Sequence, residues 1–133
     1  MKKIRKYDKF LLESKLSKLV KKIDIDGFEV LVGRNADGND FLTTMISDEN
    51  DWWFHAKGIP GSHVVIKVKN NEPSLEIIKK VANIAAVNSK CDTQFCEVLY
   101  CKKKFVSKNK EHNTGQVSVD YKNSKVIKVK IEK

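Results

Sequence analysis

Residues 51–65, DWWFHAKGIPGSHVV, place two of the three histidines of the chain on either side of a Pro-Gly turn. One chemistry open to them is acid–base catalysis, in which His55 and His63, with Asp51 nearby, exchange protons with a substrate, as in metal-free RNA cleavage. The other is recognition of RNA. An aromatic ring stacks on a base, and an imidazole hydrogen-bonds a base edge, a 2′-hydroxyl or a phosphate. We favour recognition and keep the RNA-processing or RNA-modifying enzyme as the alternative.

Strand alternation divides this stretch between two faces of a sheet. Trp52 and Phe54 point one way, and Trp53, His55 and Lys57 point the other. We expect the first pair to be buried and the second set to line an outer surface or groove, with Trp53 as a base-stacking platform. The alternative is that Trp53 belongs to a second small core, since tryptophan is mostly buried on average. An exposed Trp53 surface that docks a protein partner is a third hypothesis.

Arg34 is one of two arginines in the chain, and it opens the polar segment 34–40. A guanidinium can fork onto a phosphate or stack on a base in ways that lysine cannot. We assign Arg34 to RNA contact, with Asn35 and Asn39 shaping its turn. The alternative is an ion pair of Arg34 with Asp40 or Asp51, and we assign Asp40 to such a structural pair.

No cofactor or metal is expected from the motifs. The five-residue spacings between the three cysteines do not match zinc sites. A zinc site at His55 and His63 would need a third and usually a fourth ligand. Phosphate-binding and dinucleotide-binding glycine motifs are also lacking.

The net charge of +9 is concentrated at the two ends of the chain. Residues 1–23 and 102–133 each carry +7, whereas residues 24–101 carry −5. Basic ends of this size favour a polyanion as partner, most commonly nucleic acid. Because charges interrupt the apolar residues at the start and no apolar run approaches a membrane span, we expect a cytoplasmic protein with no membrane partner.

The periodicity of apolar residues predicts an α+β fold. We expect a mostly antiparallel sheet, with an N-terminal basic helix and a central Ala-rich helix packed on it. The predicted helices cover residues 4–23 and 74–88. The predicted strands cover residues 28–33, 52–57, 62–69, 97–106, 116–121 and 125–132, with turns at 34–40 and 58–61.

Four segments resemble, in order, the NFACT-R RNA-binding domain of the RqcH/NEMF ribosome quality-control family. They are GFEVLVGRNADGNDFLT, DWWFHAKGIPGSHVVI, EIIKKVANIAAVNSK and VLYCKKKFVSKNK…TGQVSV. The resemblance runs from about Gly27 to the C-terminus. We therefore expect one domain over residues 1–133, with residues 1–26 as a basic helical extension and residues 27–133 as the core.

The resemblance implies contact with RNA, with tRNA or the large ribosomal subunit as the partner. The family's signature falls on Gly33, Arg34, Asn35, Asn39, Asp51, Trp53, Phe54, His55, Pro60, Gly61, Ser62 and His63. We expect the RNA-binding residues to be Arg34, Asn35, Asn39, Trp53, His55, Lys57, Ser62 and His63. Asp51 is expected to orient His55 or the hairpin, and Phe54, Pro60 and Gly61 to be scaffold. A chain of 133 residues has no room for the family's other domains, so we expect a free-standing NFACT-R protein, and the family's tailing activity does not transfer to it.

Overall fold

The computed structural model describes residues 6–132, and it is an α+β fold. The helices are α1 (Lys6–Leu19), α2 (Ala36–Phe41) and α3 (Leu75–Val87), with a π-helical turn at Leu42–Ile46. The strands are β1 (Val20–Ile25), β2 (Phe28–Gly33), β3 (Trp52–Ala56), β4 (Val64–Ile66), β5 (Phe95–Lys102), β6 (Val106–Ser107), β7 (Ser118–Val119) and β8 (Lys125–Lys130). No helix among these residues is long and apolar enough to cross a membrane.

Six strands form one antiparallel sheet in the order β1-β2-β4-β3-β5-β8. The mostly antiparallel sheet predicted from the sequence is confirmed. At its centre Trp53 pairs with Val65 of β4 and Cys101 of β5. His55 pairs with Leu99 of β5. The two short strands β6 and β7 pair separately.

Each face of the sheet carries its own hydrophobic core. On one face, α3 packs Val81, Ala82 and Ala85 against residues such as Phe54 and Ile66. The other face holds Trp53, Val65 and Leu99 beneath α2, the π-helical turn and strand β6, and the second cluster is completed by Val20, Leu31, Phe41, Leu42, Cys101 and Val106. A sheet covered on both faces has little exposed surface on which to present large side chains.

The helix predicted over residues 4–23 ends at Leu19, and residues 20–25 form the edge strand β1 instead. The two-residue turn Asp26-Gly27 joins β1 to β2, with φ of 50° and 92°. Left-handed backbone at both positions suits a tight hairpin, and Asp-Gly is a favoured sequence for it. The glycine therefore turns a hairpin rather than ending a helix.

The polar turn predicted over residues 34–40 is also wrong in part, because it contains helix α2. Asn35 has extended backbone and its side chain accepts a hydrogen bond from the Gly38 N–H at 2.8 Å, which caps the helix. The second strand of the central hairpin is shorter than predicted, at Val64–Ile66. Helix α3 follows its Ser74 cap and ends at Val87, close to the predicted helix over residues 74–88. Its first residue, Leu75, is exposed.

Candidate functional site

A groove of about 850 Å³ opens on the α2 face of the sheet, beside the Pro-Gly turn. It crosses the region where β2, β4, β3 and β5 lie side by side. All eight residues that the sequence predicts for the site line it: Arg34, Asn35, Asn39, Trp53, His55, Lys57, Ser62 and His63. The fold therefore brings together two segments, 34–39 and 53–63, that were singled out separately.

Asn39 joins the two segments. Its side-chain oxygen accepts from the His63 N–H at 2.9 Å, and its amide donates to the Gly61 carbonyl at 3.3 Å. A Cβ on Gly33 would lie 2.0 Å from that same oxygen, so position 33 needs a glycine. Asn39 is buried, and its role is to hold the turn that precedes β4 rather than to reach into open solvent.

The Pro-Gly turn is fixed on its other side by the end of α3. Gly61 forms an isolated β-bridge with Ser89, and the Ser62 N–H donates to the Asn88 carbonyl at 3.0 Å. The Lys90 N–H donates to the Pro60 carbonyl at 2.9 Å. A Cβ on Gly61 would lie 2.7 Å from the Ser89 Cβ, so the two segments meet in direct contact. The expected scaffold role of Pro60 and Gly61 agrees with this arrangement.

His55 and His63 lie side by side in the groove. Their ring centroids are 5.4 Å apart with an interplanar angle of 84°. The indole of Trp53 stacks on His55 at 5.9 Å and meets His63 edge-on at 5.1 Å. His55 is half-buried, whereas His63 is only 2% exposed.

Thr43 connects the buried rings. Its hydroxyl oxygen accepts from the Trp53 indole N–H at 3.1 Å and lies 2.8 Å from Nδ1 of His63. Since an indole N–H only donates, the Thr43 proton is free for Nδ1, which favours a neutral His63 with its proton on Nε2. Thr43 has no signature in the sequence that would have predicted this role.

Both imidazoles are kept neutral by the protein. Burial, and to a smaller extent neighbouring His55, lower the pKa of His63 to about 3, although Asp40 and the backbone of Asn39 and Gly115 oppose the shift. Burial also lowers the pKa of His55, with partial compensation from the Gly61 carbonyl. Neutral imidazoles offer a flat π surface and hydrogen-bonding atoms without adding charge.

The expectation that Trp53 lies on an exposed surface is wrong. Its side chain is 1% exposed and belongs to the second core, which was the alternative considered from the sequence. Strand alternation assigned the correct face to Trp53, but α2, the π-helical turn and β6 cover that face. Trp53 forms the floor of the groove, while Trp52 is half-exposed and donates from its indole N–H to Glu72 at 3.0 Å.

Asp51 does not orient His55. Its carboxylate is buried and accepts from the backbone N–H groups of Asp48, at 2.7 Å, and Val68, at 2.9 Å, and it pairs with the Lys67 ammonium. These bonds tie the start of β3 to the end of β4. The hairpin role expected for Asp51 fits this geometry, whereas an Asp51–His55 catalytic pair does not.

Arg34 is exposed at the rim, and its backbone N–H donates to the Leu19 carbonyl at 2.9 Å. Neither of the ion pairs considered for it, with Asp40 or Asp51, is present. Asp40 is in an ion pair, but with Lys108, whose ammonium lies 3.0 and 3.1 Å from its two oxygens. The same ammonium donates to carbonyls of residues 113 and 116, which holds the loop of residues 107–117 against α2.

The groove is basic. Arg34, Lys57 and Lys90 line it, together with His55, His63 and His112, and among residues 6–132 no aspartate or glutamate lines it. This is notable in a chain with 17 acidic residues whose middle segment is net negative. An anion in the groove would therefore meet no like charge from its walls.

Sequence reasoning missed several residues of the groove, among them Lys90, which follows α3, and His112 and Tyr121, which lie in and after the loop of residues 107–117. Tyr121 ends the strand predicted over residues 116–121, where alternation places it on one face with Val117 and Val119, so the pattern suggested a packed side chain rather than an exposed one. No sequence signal marked Lys90 or His112, because their positions depend on how the chain returns to the sheet.

The antiparallel sheet and its basic, carboxylate-free groove define a domain suited to binding a polyanion. Residues 18–121 match the family of the NFACT protein RNA binding domain, and the chain belongs to that family. The match begins before Gly27, where we expected the resemblance to start, and so it includes strand β1.

Relatives agree with this assignment. The chain is 41% identical over 95 residues to the Rqc2 homolog RqcH of Bacillus subtilis (strain 168), which covers 71% of the chain and 16% of that relative. It is 49% identical over 61 residues to the Rqc2 homolog RqcH of Streptococcus suis (strain 05ZYH33), covering 46% of the chain and 11% of that relative. The chain thus spans about a sixth or less of the length of these curated relatives.

A solved structure has the same fold. It is the C-terminal part of the fibronectin/fibrinogen-binding protein from Streptococcus suis, with a TM-score of 0.77 and 34% sequence identity. The match covers 86% of this chain and 45% of that one.

Proposed function

We propose that this protein binds RNA through the basic groove and acts in ribosome quality control, with tRNA or the RNA of the large ribosomal subunit as its ligand. The family's description supports RNA as the ligand. The similarity to the RqcH proteins supports the ribosomal context. Arg34 and Lys57 would contact phosphate, and His55 and Ser62 would contact base edges or ribose.

The observation that carries this proposal is the charge of the groove. Three cationic side chains line it and no lining residue is acidic. Binding of phosphates by such side chains releases counterions, so the affinity falls as salt concentration rises. Asn35, Asn39 and Trp53 contribute by shaping the groove, since their side chains are a helix cap, a backbone clamp and a buried floor.

The geometry favours binding over catalysis. A general acid or base works best with a pKa near the operating pH, and a pKa of about 3 leaves His63 almost wholly neutral at pH 7. His63 is also buried, and the carboxylate of Asp51 is occupied by Lys67 and two backbone N–H groups. Neither group is available for the acid–base pair considered from the sequence.

The test is fluorescence anisotropy of labelled tRNA over a salt series. We compare the wild type with the double variant Arg34→Gln/Lys57→Gln. A matched control, Lys69→Gln/Lys79→Gln, removes the same charge from two exposed lysines that do not line the groove. We expect the groove variant to bind tRNA at least tenfold more weakly. The slope of log affinity against log salt concentration should fall by the amount expected for the loss of about two phosphate contacts. The control should change the affinity and the slope much less.

Equal loss in both double variants would mean that total charge, rather than the groove, holds the RNA. An absence of binding by the wild type would contradict the proposal and favour a protein partner. Thermal unfolding of each variant checks that the fold is intact.

A further inference from the structure

Tyr121 is the exposed aromatic residue of the groove. It lines the groove with 69% of its surface accessible. Phe95 is another exposed aromatic residue, at 46%, and it lies outside the groove. The groove thus has an accessible ring, although it is not the tryptophan that the sequence suggested.

The backbone around Tyr121 is held in place. Residues 121–123 form a 3₁₀ turn capped by Asp120, whose carboxylate accepts from the Lys122 N–H at 3.1 Å and the Asn123 amide at 2.8 Å. The Asp120 N–H donates to the Phe105 carbonyl at 2.9 Å, and the Ser124 hydroxyl donates to the Tyr121 carbonyl at 3.0 Å. An exposed apolar side chain on a fixed backbone loses little conformational freedom when it binds a flat ligand.

Tyr121 and Arg34 both line the groove, but they adjoin different strands of the sheet. Arg34 directly follows β2, whereas Tyr121 precedes β8, and β4, β3 and β5 lie between these strands. Neighbouring strands are about 4.8 Å apart, so β2 and β5 are roughly 14 Å apart in the sheet. A ligand that contacts both side chains needs negative charge for Arg34 and a flat ring for Tyr121.

We propose that Tyr121 stacks on a base, and that the ligand of the groove is an unpaired stretch of RNA whose phosphates contact Arg34 and Lys57. This inference rests on the proposed RNA-binding function and specifies its ligand. A base can stack on a side chain only after it has left its own helix, so duplex RNA does not meet the requirement. Val117 and Val119 also line the groove and supply apolar surface near the ring.

The experiment uses three fluorescein-labelled probes: an adenosine octaribonucleotide, an octamer with the same backbone but no bases, and an RNA duplex. They are titrated with wild type, Tyr121→Ala, Tyr121→Phe and the matched control Phe95→Ala. Tyr121→Ala is expected to weaken binding of the adenosine octamer about 5- to 150-fold, the range for loss of one base–aromatic stack. Tyr121→Phe, which keeps the ring, and Phe95→Ala should bind like the wild type.

The octamer without bases separates stacking from charge. The wild type should prefer the adenosine octamer over it, and Tyr121→Ala should lose most of that preference, while Arg34→Gln weakens both probes. If Tyr121→Ala equals the wild type while Arg34→Gln still weakens binding, stacking is refuted and the proposed function stands. Duplex binding as tight as that of the adenosine octamer overturns the unpaired ligand. If the wild type binds labelled tRNA but none of these probes, the unpaired ligand is refuted and the proposed function stands; if it binds neither, both proposals fail.

Discussion

Burial of His63 predicts a stability that falls between pH 7 and pH 5. The ring is 2% exposed and its pKa in the folded protein is about 3, whereas an unfolded histidine titrates near 6.5. Well above pH 6.5 the ring is neutral in both the folded and the unfolded protein, so it does not lower the free energy of unfolding. Below that pH only the unfolded chain takes up the proton, so the free energy of unfolding decreases until the pH approaches 3.

The size of the effect follows from these two values. Linkage gives a loss of about 2 kcal/mol between pH 7 and pH 5 for this one group. The loss between pH 7 and pH 5 comes almost entirely from proton uptake by the unfolded chain. A pKa one unit higher in the folded protein would therefore hardly change the loss. His55, whose pKa is also lowered by burial, adds to the loss in the same direction.

Urea unfolding followed by circular dichroism measures this loss. The wild type is compared at pH 7 and pH 5 with His63→Asn, in which an amide can still bond Thr43 but cannot titrate. The wild type should lose about 2 kcal/mol more than the variant over this range, because the unfolded variant has no ring at position 63 that takes up a proton. An NMR titration that follows the His63 ring serves as a second readout and should show no protonation above pH 5. Equal losses in the two proteins, or a ring that titrates near pH 6, would refute the buried neutral imidazole.

Three further predictions concern the groove and its supports. Asn39→Ala leaves the His63 N–H and the Gly61 carbonyl without their partner, so it should lower the free energy of unfolding by about 1–3 kcal/mol and weaken RNA binding. Unchanged stability in urea would contradict the role of Asn39 in holding the turn. Asp51→Asn breaks the buried ion pair with Lys67 and should lower the free energy of unfolding by about 3–5 kcal/mol. Glu29→Gln breaks the more exposed ion pair with Lys22 and should lower it much less. In Trp52→Phe the remaining Trp53 should emit at short wavelength and resist acrylamide quenching, whereas strong quenching would mean that the indole is exposed.

Local pattern was enough to predict most strands of the sheet, the helix α3 and the face on which His55 and Lys57 lie. Alternation placed His55 and Lys57 on one face, and the structure keeps them there. The last strand behaves similarly, since Ile127 and Val129 pack against the α3 core while Lys128 and Lys130 are exposed. These features depend on neighbours close in sequence, which is why they could be predicted.

The errors arose where distant parts of the chain decide the outcome. Val20 and Ile23 fit a helical stripe, but pairing with β2 draws them into a strand. Strand alternation places Trp53 on the face opposite the α3 core, and it is buried only because α2, the π-helical turn and β6 pack on that face. The accessible aromatic is instead Tyr121, which enters the groove from the far end of the chain. Coverage of a sheet face is a property of the whole fold and cannot be read from one strand.

The most direct test of the groove as the RNA-binding site is an NMR titration of the ¹⁵N-labelled protein with an unpaired RNA oligonucleotide. We expect the amide signals of the groove, such as those of Gly61, His63 and Gly115, to shift together and saturate, while those on the outer side of α3 near Lys79 do not. Shifts confined to the basic ends of the chain, with the groove signals unmoved, would contradict it.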